Sequence, residues 1–229
     1  MAEPSPRRHD LAWVDAAALD RLAVHAADRP VLDDWLQQAR PLVVGRREPG
    51  DARLRLGFTV TGTGARWRVG VLAPPDTLIR HAPPPPLGAL AASAPARWQA
   101  PLAHLATAMG AIGQTVRGYG SLVNQHLSGA PCLRPDSDVD VLVDCTDRAR
   151  ALRALAVLGR HGDGTPRIDG ELRLAGWAVA WRELAAALEA DRSVLAKSDT
   201  AIRLMTAAEF LDAVHPGHDD ADHHRRRAA

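Results

Sequence analysis

The sequence predicts an α+β protein. A small N-terminal α+β domain over residues 1–82 leads into a mixed sheet flanked by helices over 83–214, with 215–229 as a disordered tail. Three observations lead there. Strand-like runs and helical stripes are interspersed in both halves. The stretch Ala73 to Leu87, with Pro74-Pro75 and then Pro83 to Pro86, is either a stiff connection between two domains or a proline-rich surface loop within one. The end, PGHDDADHHRRRAA, lacks the apolar residues that a core needs.

In the first half, Leu11, Trp13 and Val14 make a short apolar start. Asp15 to Ala27 is alanine-rich with Leu19, Leu22 and Val24 at helical spacing, which predicts a helix capped by Asp15. A second helix is expected over Val31 to Gln38, ending near Pro41, and a buried strand over Leu42 to Val44. Leu54 to Val60 and Arg66 to Val71 read as antiparallel strands around a Gly62-Thr63-Gly64 turn.

In the second half, Arg97 to Ile112 predicts a helix with Leu102, Leu105, Ala106 and Met109 on one face. Thr146 to Arg160 predicts another, with Leu152, Leu155 and Leu158 inward. Strands are expected at Arg167 to Leu174 and Ala178 to Trp181, then helices at Arg182 to Glu189 and Thr206 to Val214.

The chemistry concentrates between Arg117 and Cys145. Val116 to Tyr119 is a β-prone run that stops at Gly120-Ser121, and a short helix through Leu122, Val123, Gln125 and Leu127 ends at Gly129. After a loop marked by Pro131 and Pro135, Val139, Val141 and Val143 alternate with Asp138, Asp140 and Leu142. This period puts the two aspartates on one strand face and the valines on the other. Neighbouring carboxylates repel, and become tolerable around a hard divalent cation such as Mg²⁺. A Gly-Ser turn at the mouth of a helix offers backbone N–H groups and a hydroxyl to a phosphate. The parts describe a site for a metal-bound triphosphate. A solvated acidic strand face is the bland alternative, and it leaves the Gly-Ser turn without a role.

Composition excludes other classes. Lys plus Arg total 28 against 27 Asp plus Glu, so no basic field argues for non-specific nucleic-acid binding. Lys197 is the only lysine. Two cysteines, Cys132 and Cys145, fit a reducing compartment, and no metal-type cysteine spacing is present. The start, MAEPSPRRHD, has no apolar signal core, and no run reaches membrane-spanning length, so a soluble cytoplasmic protein is expected.

Gly-Ser, a short helix and then Asp-x-Asp on the next strand resembles the nucleotidyltransferase superfamily, although the interval from Ser121 to Asp138 is longer than usual there. The resemblance implies a third carboxylate on a later strand, holding metal or deprotonating the attacking hydroxyl. In RIDGEL, Asp169 is the first choice and Glu171 the second, both on one strand face. Lys197 is a candidate phosphate ligand or else a solvated lysine, and Arg182 with Glu183 either orders the site or pairs at the surface. His9 and Asp10 either contribute a ligand across a domain cleft or cap the chain locally.

More closely, the chain is similar to the phosphoribosyl-dephospho-CoA transferases, the holo-acyl-carrier-protein synthases of malonate decarboxylase. The likeness rests on RRHDLAWV, on YGSLVNQHLSG followed by DSDVDVLV, and on RIDGELRLAGWAVAWREL with VLAKS behind it. It implies transfer of a 2'-(5''-triphosphoribosyl)-3'-dephospho-CoA group to a serine of the acyl carrier protein, with release of pyrophosphate. It matches Asp138 and Asp140 to the family's paired aspartates, which hold Mg²⁺, and Gly120-Ser121 to its phosphate turn. The acidic carrier protein would meet arginines, with Arg46, Arg47 and Arg182 as candidates. Two other readings stay open: a nucleotidyltransferase that moves AMP from ATP to a protein or small molecule, and a non-catalytic carrier-binding module.

Overall fold

A computed structural model describes residues 5–61, 66–190 and 192–213. The expected Gly62-Thr63-Gly64 turn, Val214 and the tail from His215 lie outside the described residues. The fold is α+β, built on two six-stranded sheets.

The first sheet is antiparallel. Its strands are β1 (Leu11–Val14), β2 (Ala23–Val24), β3 (Leu42–Val44), β4 (Leu54–Thr61), β5 (Arg66–Ala73) and β6 (Leu78–Ala82), in the order β2-β5-β4-β3-β1-β6. One face packs on helix α1 (Arg29–Gln37), where Leu32, Trp35, Leu42, Leu56, Phe58 and Val71 form a core. Val31 to Gln38 is helical close to its expected bounds.

The alanine-rich segment behaves differently from its expected single helix. Asp15 does cap it, with Oδ1 accepting from the Ala17 N–H at 2.9 Å. The chain then makes two short 3-10 turns, Ala16–Arg21 and Ala26–Asp28, with β2 between them. Leu22 is extended, and Ala23 and Val24 pair with Leu72 and Val71. Only Ala18 of the first turn is buried, so no helical stripe has a core to meet, and cross-strand pairing overrides alanine's helix propensity. The proline-rich stretch is also more ordered than a linker: β6 within it pairs along β1 at the sheet edge.

The second sheet is mixed. Its strands are β7 (Val116–Gly118), β8 (Val139–Cys145), β9 (Ile168–Leu174), β10 (Trp177–Ala180), β11 (Ser193–Lys197) and β12 (Ile202–Thr206). They lie in the order β12-β11-β10-β9-β8-β7. Only β8 and β9 run parallel, joined by α5 (Arg148–His161). The hairpin of β11 and β12 was not expected from the sequence. Helices α2 (Leu87–Leu90), α3 (Ala96–Ala111), α4 (Gly120–Ser128) and α6 (Trp181–Ala190) complete the unit with α7 (Ala207–Leu211). A capping box between Thr206 and Glu209 starts α7 one residue later than predicted.

Val139, Val141 and Val143 are fully buried with Leu102, Leu105, Met109 and Leu158 from α3 and α5. The opposite, aspartate-bearing face of this sheet turns toward the first sheet. Leu11, Trp13 and Val43 cross over to pack against the second core. The strand alternation therefore decides which face meets solvent-filled space and which meets helices. Among the described residues no helix is long and apolar enough to cross a membrane.

Candidate active site

The site forms where the polar face of the second sheet looks across at the first sheet. In the parallel pair, Asp140 stands opposite Asp169, Leu142 opposite Glu171 and Asp144 opposite Arg173. The turn before α4 hangs on this strand, since the Tyr119 N–H donates to the Asp140 carbonyl at 3.0 Å. Gly120 opens the helix with φ of 66° and lies directly against the Asp140 carboxylate. A Cβ there would come within 2.2 Å of Asp140 Oδ2, so a side chain at this position would displace that carboxylate as well as strain the backbone. Beside it the Ser121 hydroxyl accepts from Arg66 Nη2 at 2.9 Å.

Burial, followed by repulsion from Asp169 and Asp138, pushes the Asp140 carboxyl up to about 6. Asp138 lies 3.5 Å from Arg167 Nη1, and Asp169 Oδ1 accepts from the Gly170 N–H at 2.8 Å. The three aspartates thus share one face and one field. Among the described residues no group of three or more His, Cys, Asp or Glu side chains closes around a common metal position.

Glu171 takes a different part. Burial alone would raise its carboxyl, but His9 and Arg8 outweigh burial and hold it down to about 2. Arg8 is ion-paired with it, and His9 Nε2 and Lys197 Nζ each lie 3.4 Å away. Lys197 therefore sits on Glu171. The strap from Arg7 to Asp10 is held to the same face: the Arg8 N–H donates to Asp199 at 2.8 Å, and Arg173 reaches the Arg8 carbonyl at 3.2 Å while forking onto Asp144. His9 has φ of 76° and stacks on Tyr119 at 4.1 Å. Burial lowers the His9 pKa, so its ring is neutral at pH 7.

Glu171 therefore carries a pH signature. A carboxyl lowered from an ordinary 4.5 to about 2 contributes about 3 kcal/mol of stability. That contribution is fully present above pH 4.5 and is lost as the pH falls toward 2. Glu171→Gln is expected to lower the urea midpoint at pH 7, leaving Arg8 buried beside a neutral amide. The gap between variant and parent should shrink to roughly half near pH 3 and approach zero only at about pH 2 and below. An unchanged gap across that range would contradict the assignment.

Arg182 works elsewhere. It donates to Asp163 at 2.7 Å and to the carbonyls of Gly162 and Ile168 at 2.7 and 3.1 Å, pinning the turn that leads into β9. Glu183 accepts from the Leu195 N–H at 2.9 Å, so the two do not pair with each other. Above Asp140 lies a cleft of about 520 Å³, lined on one side by Tyr119, Gly120, Asn124 and Asp140. Its other side is Arg55, Gly57, Thr59, Arg68 and Gly70 of β4 and β5. Sequence reasoning passed over that second wall. The signal was present: Arg55, Gly57 and Thr59 alternate with apolar residues, as do Arg68 and Gly70.

Comparisons with known proteins agree along the chain. The family model for the phosphoribosyl-dephospho-CoA transferase MdcG N-terminal domain matches residues 7–84. That for the MdcG C-terminal domain matches 86–208. The phosphoribosyl-dephospho-CoA transferase of Xanthomonas campestris pv. campestris is 33% identical over 86% of this chain and 93% of its own length. The one from Bradyrhizobium diazoefficiens is 32% identical over 90% and 92%. That of Xanthomonas axonopodis pv. citri is 31% identical over 90% and 97%. No solved structure matches the chain significantly. With both domains matched in order, the chain belongs to the phosphoribosyl-dephospho-CoA transferase (MdcG) family, a family of transferases.

Proposed function

We propose that the protein transfers 2'-(5''-triphosphoribosyl)-3'-dephospho-CoA to a serine of the malonate decarboxylase acyl carrier protein, forming a phosphodiester and releasing pyrophosphate. The observation that carries this reading is the bare Gly120 turn pressed against Asp140 at the end of an arginine-walled cleft. The relatives' names supply the donor class. The units over residues 1–82 and 83–214 are read as two parts of one enzyme, supported by the two sheets and two cores. The buried free thiols of Cys132 and Cys145 support a cytoplasmic setting.

In this reaction the serine oxygen bonds to the phosphorus nearest the ribose as the bond to the pyrophosphate oxygen breaks in line. The chain's residues mainly position the reactants and supply fixed charge. Backbone N–H groups at Gly120 and Ser121 orient the triphosphate. Asp169, across from Asp140, takes the serine proton. Glu171 is not suited to that task, because Arg8 and His9 keep it ionised as a weak base. Lys197 and Glu171 together brace the second sheet beside Asp169.

The donor set fits Mg²⁺. Asp138 and Asp140 offer hard carboxylate oxygens from one face, and a cation between them would relieve the repulsion that raises Asp140. When bound there, Mg²⁺ supplies positive charge to the leaving pyrophosphate.

Incubating purified carrier protein with donor and Mg²⁺, followed by intact mass spectrometry, tests the proposal. The expected result is one added prosthetic group on a serine. A carrier left unmodified by this donor, but modified with ATP, would replace the reading by a general nucleotidyltransferase. Asp169→Asn is expected to lower maximal turnover by about 100-fold with donor binding changed little. Weak donor binding at a normal maximal rate would instead place Asp169 among the binding groups.

A further inference from the structure

The first sheet has a face that its own core does not use. On β4, Leu54, Leu56 and Phe58 turn into that core, so Arg55, Gly57 and Thr59 point the other way. On β5, Val69, Val71 and Ala73 turn inward, so Arg68 and Gly70 point into the cleft. The register sets Gly57 opposite Gly70 and Thr59 opposite Arg68. Two facing glycines leave bare peptide where two side chains would otherwise stand.

Glycine in a strand interior is destabilising, and the usual return is a close approach by another group. For Gly57 that group is the protein itself, since a Cβ would meet the Val69 carbonyl oxygen at 2.8 Å. Gly70 is otherwise: a Cβ there meets nothing within 4 Å, yet the residue faces the cleft. Nothing in the protein's own packing requires it to be glycine.

Charge borders this floor. Arg46, Arg55 and Arg68 all line the cleft. Arg55 is shared with Glu48 at 3.8 Å and Asp51 at 3.6 Å. Arg68 acts across the space on Asp140, where its charge opposes the rise of that carboxyl. The cleft is therefore uncharged over the glycine pair, with Arg68 toward the end where Gly120 and Asp140 lie and Arg46 and Arg55 toward the other.

We propose that the N-terminal sheet is the nucleotide floor of the cleft. A phosphorylated nucleoside lies with its planar base on the Gly57–Gly70 peptides and its phosphates between Arg68 and the Gly120 turn. This deepens the proposed function and rests on it for placing the phosphates beside Asp140. The N-terminal unit then supplies half of the donor site.

The test is calorimetric binding to the full chain, with 3'-dephospho-CoA as the nucleotide probe and inorganic tripolyphosphate as the phosphate probe. Gly70→Leu fills the open space above the floor. It is expected to weaken 3'-dephospho-CoA binding by about tenfold or more while leaving tripolyphosphate within about twofold. Arg68→Ala is expected to weaken both probes by about fivefold or more. Gly70→Leu with parental affinity for 3'-dephospho-CoA and an unchanged melting temperature would overturn the floor. If Gly70→Leu does not fold, Arg68→Ala decides, and parental tripolyphosphate affinity in it overturns the proposal. Transfer is measured separately. Gly70-dependent binding by a protein that modifies no carrier keeps the floor and removes the proposed reaction. Normal transfer with a donor KM unmoved by Gly70→Leu keeps the reaction and removes the floor.

Discussion

Asp140→Asn is expected to lose transfer by about a thousandfold or more while melting no lower than the parent. The loss follows from its place: it touches Gly120, faces Asp169, and is one of the two carboxylates proposed to hold Mg²⁺. Removing charge stabilisation of a leaving pyrophosphate costs several kcal/mol of barrier. The stability effect has the opposite sign, because Asp140 is strained by its own charge. Its carboxyl is raised from an ordinary 3.8 to about 6, first by burial and then by Asp169 and Asp138. For such a group stability is greatest below pH 3.8 and falls as the pH rises through about 6. At pH 7 the asparagine variant should therefore be more stable by about 1–2 kcal/mol after screening, and the gain should vanish near pH 4. Melting must be compared in chelator, because a bound cation stabilises only the parent. Near-normal turnover in Asp140→Asn would remove Asp140 from the reaction. A melting temperature well below the parent's would mean that the carboxylate is a structural hydrogen-bond acceptor.

The aspartate pair was legible because a strand's period of two needs only local sequence to assign faces. The same holds for the α3 stripe, for the Asp15 cap and for the Gly-Ser turn. On α5, by contrast, the buried residues are Ala151, Ala154, Val157 and Leu158 and the expected Leu152 is exposed, because the helix turns its alanines to the sheet. Elements that depend on distant partners were not legible. β2 is two residues long and exists through its pairing with β5. β11 and β12 form an edge hairpin in which Leu195, Ile202 and Leu204 stay exposed, so hydrophobicity does not alternate cleanly there. The ionic cluster on Glu171 joins residues 163 positions apart, Arg8 and Glu171, and no spacing rule reaches across that distance. His9 and Asp10 entered the reading as a ligand or a cap. His9 packs on Tyr119 and lines the cleft, while Asp10 accepts from the Arg7 N–H at 2.8 Å as a local cap does.

Gly170→Ala should be the most disruptive glycine-to-alanine change among the described residues. Gly170 stands in β9 between Asp169 and Glu171, with φ of 132°, a conformation that side-chain-bearing residues rarely adopt. A Cβ would lie 1.9 Å from the Val141 carbonyl oxygen and 2.5 Å from its nitrogen. Both atoms are backbone of the adjacent strand, in register with Gly170 and carrying a fully buried side chain. They cannot rotate aside as a side-chain tip would. Accommodating the methyl means parting β8 from β9 along the ladder that sets Asp140 opposite Asp169. The expected cost is about 4 kcal/mol or more, in the range of severe core substitutions. Gly176→Ala separates strain from collision: Gly176 has φ of 83° in the β9–β10 turn, but a Cβ there meets nothing within 4 Å. Only the conformational penalty applies, and the loss should stay near 1 kcal/mol. Urea unfolding of the two variants beside the parent measures the difference. Equal, small losses would show that β8 and β9 yield to the methyl, and the Asp140–Asp169 pair would then need another source of rigidity.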